Sequence, residues 1–428
     1  MSRSLFRLVV LLGLSGWLGK TALAADWTQF RGPGGAGVAD SHDYATTWSA
    51  AENVLWRVNL PGPGASSPIT LGDRVFVTSY RGYGVDKSAP GELARLERVL
   101  VCLNRADGKV LWEAAVKGTA DEDRYQGFIQ SHGYATSTPA TDGKRVYVFF
   151  GKAGVLAFDL NGKQLWQTSV GTGSAQMGWG QGTSLILYQN SVIVPAFAEG
   201  KALVALDQET GKQIWKTEAD GFEGCWSSPI LVDLPDGKQE LVASVPFELW
   251  GIDPANGEFL WFSEGIKEGA ICPTLVAREG VVYAIGGRQG GAVAVRAGGR
   301  DDVTKTHTVW RKDFGSYVTS PLLVGDHLYW VSDRGIAYCV RTADGEQVYK
   351  ERLADAGQLY ASVVFANGQL YAASRENGTY VYAAKPQFES VAKNSVDEDA
   401  GTCNATPAFS EGRMFLRTDR YLYCIGRK

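Results

Sequence analysis

The chain has 428 residues, with 42 Lys and Arg against 46 Asp and Glu, for a formal net charge of −4. That balance excludes the basic surplus expected of a nucleic-acid-binding protein, and 45% hydrophobic with 21% charged residues excludes a disordered chain. The 52 glycines and 13 tryptophans, against 3 methionines and 4 histidines, predict many turns and short strands and leave little imidazole for metal or acid–base chemistry.

Residues 1–24 read as a cleaved export signal. Arg3 and Arg7 precede an apolar run from Leu8 to Leu18, and Ala22-Leu23-Ala24 is a small-residue cleavage pattern. The apolar run is too short to span a bilayer, and the first cysteine, Cys102, is not placed to carry a lipid anchor. These features predict a periplasmic or secreted monomer without a membrane span, folded as one domain over residues 25–428.

Asn53 to Leu60 follows, with the pattern of an outer strand and no strands before it. A repeat then runs to the C-terminus, its units starting at Ser67-Pro68, Thr138-Pro139, Ser184, Ser228-Pro229, Cys272-Pro273, Ser320-Pro321, Ser362 and Thr406-Pro407. Each unit holds runs of period two, such as Arg145 to Phe150, which mark half-buried strands. Turn pairs such as Asp142-Gly143, Asp236-Gly237 and Asn367-Gly368 separate them. Four strands in ~40–50 residues is the signature of a propeller blade. The last unit has only three strands, so Asn53 to Leu60 is expected to complete it and pair the two termini, which removes open edges. The predicted fold is all-β: a single eight-bladed β-propeller of four-stranded antiparallel blades, closed by an N-terminal outer strand.

Ala205-x-Asp207-x-x-x-Gly211-x-x-x-Trp215 resembles the tryptophan-docking repeat of pyrroloquinoline-quinone (PQQ)-type propellers, and Cys102 to Trp112 and Gly251 to Trp261 are close variants. Asp159 to Trp166 is the same motif one residue shorter, an insertion separates Arg296 from Trp310, Tyr349 replaces Trp in the sixth unit, and the seventh is degenerate. Trp27-x-x-Phe30-Arg31-Gly32-Pro33 also resembles secreted bacterial members. Glycine gives the positive φ of a tight turn, Asp bonds its amides, and the flat indole is expected to fill the wedge between blades. Trp56, Trp112, Trp166, Trp215, Trp261 and Trp310 are assigned to that structural role.

Nucleophile-elbow, P-loop, zinc-protease and haem-attachment motifs are absent from the sequence. In a propeller the connections from outermost to next innermost strand rim the channel on the same face as the turns between the second and third strands. That topology puts His132, Trp179, Trp226 and Tyr317 on the rim, and Arg81, Arg288, Arg334, Arg375 and Arg420 at equivalent turns of five neighbouring blades. Guanidinium groups suit carboxylates, so this face is expected to bind a protein or an anionic ligand. Asp121/Asp123 and Asp397/Asp399 read as solvated loop charge, not Ca²⁺ ligands, and Cys102, Cys339 and Cys424 as small buried side chains. A Cys225–Cys272 bridge is left open.

The resemblance implies two functions. One is a non-enzymatic binding platform, like the propeller subunit of the bacterial outer-membrane protein assembly machinery, from which the missing lipid anchor departs. The other is a quinoprotein dehydrogenase holding PQQ and Ca²⁺ on the axis. The adjacent Cys-Cys pair of many alcohol-oxidising members is missing, and no catalytic Asp or calcium ligands can be placed. Binding is therefore preferred, with no cofactor assigned, no catalytic or metal-ligating residue named, and PQQ with Ca²⁺ as the alternative.

Overall fold

The computed structural model describes residues 26–396 and 401–427. The export signal read at 1–24 and the pair Asp397/Asp399 lie outside the described residues. Eight antiparallel sheets follow one another in chain order. In blade 1 the strands are Ile69–Leu71, Arg74–Arg81, Glu97–Asn104 and Val110–Lys117, called A to D from the axis outwards. Blade 8 takes strands A to C from Ala408–Ser410, Arg413–Arg417 and Tyr421–Ile425, and its strand D is Val54–Asn59. Val58 faces Leu422 and Trp56 faces Cys424, so the two ends of the chain close the ring by strand pairing, as expected.

The tryptophan repeat works as an interlock. The Trp166 indole of blade 2 donates to the Gln208 carbonyl of blade 3 at 3.1 Å, and a Cβ placed on Gly211 would lie only 2.6 Å from its ring. Only glycine leaves room for the indole there, and Gly211 also takes a left-handed φ of 69°. Asp207 Oδ1 braces the same turn by accepting the Thr210 amide at 2.8 Å. Trp56 with Gly108, Trp112 with Gly162, Trp215 with Gly257 and Trp310 with Gly345 repeat the arrangement. Opposite each ring in strand C stands a small residue, Cys102 facing Trp112 and Ala205 facing Trp215, and the register shifts just after it. That position explains why buried Cys102, Cys339 and Cys424 belong to the repeat.

Three blades depart from the pattern, blade 6 by carrying Tyr349 opposite Cys339 where the repeat has an indole. Trp261 donates to the Glu240 carboxylate of its own blade at 2.7 Å instead of a carbonyl in the next one. The insertion in blade 5 has displaced the turn that would receive it, and Gly251 makes space for its ring. This insertion adds Asp301–Asp302 as a parallel fifth strand on blade 4, where four were expected. In blade 7, Ala392 stands where the indole should be. Trp48, from the N-terminal arm, is stacked on Tyr371 at 6.3 Å in the core shared by blades 7 and 8, supplying the missing ring.

The arm, residues 26–53, also crosses the lower end of the channel. Trp27 pairs with Thr70 of blade 1, Arg31 reaches the Pro321 carbonyl of blade 6, and Val38 bridges Phe365 of blade 7. Among the described residues no helix is long and apolar enough to cross a membrane.

Replacing Trp215 by Ala removes a buried indole from the best-formed repeat and is expected to cost about 3–5 kcal/mol. Chemical denaturation checks this; an unchanged midpoint would show that the ring does not lock the blades.

Candidate functional site

Each blade contributes one hydroxyl to a girdle around the axis: Ser67, Thr138, Ser184, Ser228, Thr274, Ser320, Ser362 and Thr406. Backbone amides link them in series. Ser67 N–H donates to Thr138 at 3.0 Å, Ser184 N–H to Ser228 at 2.9 Å, and seven such links run from Ser67 round to Thr406. The unit starts read from the sequence are these girdle residues, except in blade 5, where Thr274 and not Cys272 holds the place. The proline there precedes the hydroxyl residue instead of following it.

The girdle encloses an axial chamber of about 220 Å³. Phe30 of the arm forms its floor, and its mouth is lined by His132, Trp179, Trp226 and Tyr317, as the sequence predicted, together with Tyr360 and Asn404. The Trp179 and Trp226 rings are 5.0 Å apart, and Phe128 meets Trp179 edge-on at 4.6 Å. Trp226 donates to the Gly180 carbonyl at 2.8 Å, which ties two rim loops together. Phe30 and Tyr360 were not legible as site residues. Tyr360 had a signal, since it stands two residues before Ser362 as Trp226 stands before Ser228. Phe30 had none, because its place depends on the arm crossing the channel.

His132 points both ring nitrogens at carbonyls, Trp179 O at 2.8 Å and Gly133 O at 3.0 Å. Burial lowers its pKa below the usual imidazole value, the two carbonyls oppose that shift, and Arg375 adds to it. The ring is thus a fastener between the helical turn Ile129–His132 and the Trp179 loop. Cys272 lines the chamber, its thiol pushed up to about 12 by burial. Cys225 bridges Ile271 in parallel register, so Trp226 and Cys272 share one face while Cys225 turns into the core between blades 3 and 4. That alternation disfavours the Cys225–Cys272 disulfide left open by the sequence.

The five turn arginines do not form one uniform arc. Arg288 lies over the Tyr317 ring at 4.4 Å and bonds its hydroxyl at 3.1 Å. Arg375 lies over Tyr360 at 4.4 Å and donates to Asn404 at 2.9 Å and to Gln358 at 3.0 Å. Arg334 and Arg420 are exposed on the same side of the ring. Arg81 departs, because Glu97 at 2.9 Å and Glu113 at 3.2 Å neutralise it within its own blade. Three nearby carboxylates accept backbone amides, Asp333 that of Tyr317, Asp419 that of Thr402 and Glu268 that of Arg288, while Glu376 is exposed beside Arg375.

A second polar cluster lies beneath the rim between blades 1, 2 and 3. Arg98 and Glu122 form a buried bidentate pair at 2.6 and 2.8 Å. Lys152 donates to Asp121 O, Asp123 and Ser174, so Asp123 is a part-buried ion-pair partner where the sequence suggested solvated loop charge. Beside them Glu199 is buried with Oε2 unpartnered, and burial raises its carboxyl from 4.5 to about 8. The fold therefore prefers neutral Glu199, while the unfolded chain ionises it above 4.5. Its contribution is full below about 4.5, falls as pH rises to about 8 and is constant beyond. Glu199→Gln should be increasingly more stable than the parent across that window, measured by thermal melts at stepped pH. A pH-independent difference would mean that Glu199 is charged in the fold.

Comparison with known proteins agrees with this architecture. A family model described as outer membrane protein assembly factor BamB, of the PQQ-repeat type, matches residues 53–224 and 198–351. Polyvinylalcohol dehydrogenase from a Pseudomonas species is 27% identical over 248 residues, covering 54% of this chain but only 30% of that protein's length. The crystal structure of BamB from Moraxella catarrhalis superposes with a TM-score of 0.61 at 12% identity, covering 87% of this chain and 96% of that one. The computationally designed Ika8 protein gives 0.60 at 11% identity, covering 87% and 99%. At such identities the likeness shows the fold alone, whereas the family model spans most of the described ring. The chain belongs to the BamB family of PQQ-repeat β-propellers.

Proposed function

We propose that this protein is an exported, monomeric, non-enzymatic binding platform whose contact face is the chamber mouth with its surrounding loops, and that it recognises an anionic group there. The charge asymmetry of that face carries the reading. Arg288 and Arg375 are held over tyrosines at the mouth, and among the described residues no Asp or Glu lines the chamber. Aromatic bracing fixes a guanidinium while leaving its other N–H donors for a carboxylate.

The family also implies PQQ with Ca²⁺. Calcium takes six to eight oxygen ligands, carboxylates foremost, and the chamber offers hydroxyls and the amides of Gln181 and Asn404. Its one imidazole, His132, aims both ring nitrogens at backbone carbonyls, so neither is turned toward a substrate proton. These residues do not fit a Ca²⁺-bound quinone, and no dehydrogenase step is assigned to them.

Incubation with PQQ and Ca²⁺ followed by desalting tests the reading. It predicts neither a Ca²⁺-dependent quinone absorbance travelling with the protein nor alcohol-dependent dye reduction. Stoichiometric Ca²⁺-dependent quinone with turnover would overturn it.

A further inference from the structure

We propose that the mouth face docks an amphipathic acidic polypeptide segment, its apolar side chains seated over blades 2 to 4 and its carboxylates facing the arginines of blades 5 to 7. The inference rests on the platform reading and specifies the partner's chemistry.

The first observation is an apolar sector. Phe128 is 38% exposed, Met177 77% and Phe247 57%. They belong to one surface. Phe128 packs on Trp179, and Trp179 on Trp226. The loops carrying Met177 and Phe247 meet at Gly224, where a Cβ would lie 3.4 Å from both Gln176 and Pro246. Single exposed apolar residues are ordinary, but three large ones on neighbouring loops around one cavity mouth mark an interaction site.

The second observation is backbone strain in the same place. Met177 has a φ of 57° and Phe247 a φ of 70°, a left-handed conformation that costs energy for any residue bearing a Cβ and that glycine or asparagine adopts readily. A large side chain held there and pointed at water gains nothing in the free protein. Hairpin turns such as those at Gln189 and Glu411 also hold a left-handed residue, but there it is polar, whereas Met177 and Phe247 are large apolar side chains exposed beside the mouth.

The third observation is charge placement. The opposite sector presents Arg288, Arg334 and Arg375, with Asp333 and Glu268 accepting backbone amides and Glu376 as the one exposed acid on these three turns. The apolar sector is instead flanked by exposed Asp220 and Glu223, which share Lys201. A uniform polyanion such as a nucleic acid would meet those carboxylates, whereas a polypeptide can place its acids at one end only. A chamber-sized organic anion would leave Met177 and Phe247 uncovered, since neither lines the chamber.

The test is selection of a random peptide display library against the full chain, followed by affinity measurement on two variants with parental melting temperatures. Met177→Asn/Phe247→Asn replaces the apolar anchors by a residue that tolerates the backbone conformation, and Arg288→Glu/Arg334→Glu reverses two of the arginine charges. Selected peptides should join aromatic or aliphatic residues to a run of Asp or Glu. Each variant should weaken them about tenfold or more, and with the arginine variant added salt should no longer weaken binding as it does with the parent. Peptides that need Met177 and Phe247 but carry no acidic run and ignore the arginine variant would overturn this inference and leave the platform standing. Failure to find any peptide sensitive to either variant would overturn both.

Discussion

The structure depends on one contact repeated around the ring: an indole from the outer strand of one blade lying against the bare Cα of a glycine in the next. It has three parts, each with its own sequence requirement. Glycine makes room and bends the turn, the Asp or Asn four residues before it holds the turn by its amides, and a small residue in the neighbouring strand admits the ring. A buried aromatic of this size contributes more than any surface ion pair in the molecule. Because the contact joins consecutive blades, stability accumulates round the circle, and pairing of Val54–Asn59 with Tyr421–Ile425 closes it.

This logic explains why the fold was legible and where legibility stopped. Gly211 and Trp215 announce the interlock because glycine in a turn and tryptophan in a strand each have a local reason to be there. The three-strand final unit announced the closure by simple strand arithmetic. Trp48 did not announce itself, since nothing around it repeats and its partner Tyr371 is more than three hundred residues away in sequence. Trp261 misled because its motif is intact while the turn meant to receive it, in the next blade, is not. The cause of each miss lay in a distant segment.

The site was legible to the same degree. His132, Trp179, Trp226 and Tyr317 reach the mouth because repeat register alone places their loops there. Register could not show that Arg81 is consumed by Glu97 and Glu113 while Arg288 and Arg375 lie on tyrosines, because that choice rests on pairs of side chains. Nor does sequence reveal that Met177 and Phe247 are strained, as left-handed backbone at a residue other than glycine leaves no mark in composition.

Scaffold and rim are thus separated in this chain. Indoles and girdle hydroxyls hold the ring, while the rim loops, freed from that duty, carry an apolar sector and a basic one on a protein of net charge −4. The most direct measurement of that division is a fluorescence titration with 1-anilinonaphthalene-8-sulfonate, an apolar anion, against its neutral, sulfonate-free parent N-phenyl-1-naphthylamine. The account predicts tighter, salt-sensitive binding of the sulfonate, lost in Arg288→Glu/Arg334→Glu. Equal binding of both dyes, unaffected by salt or by that substitution, would contradict it.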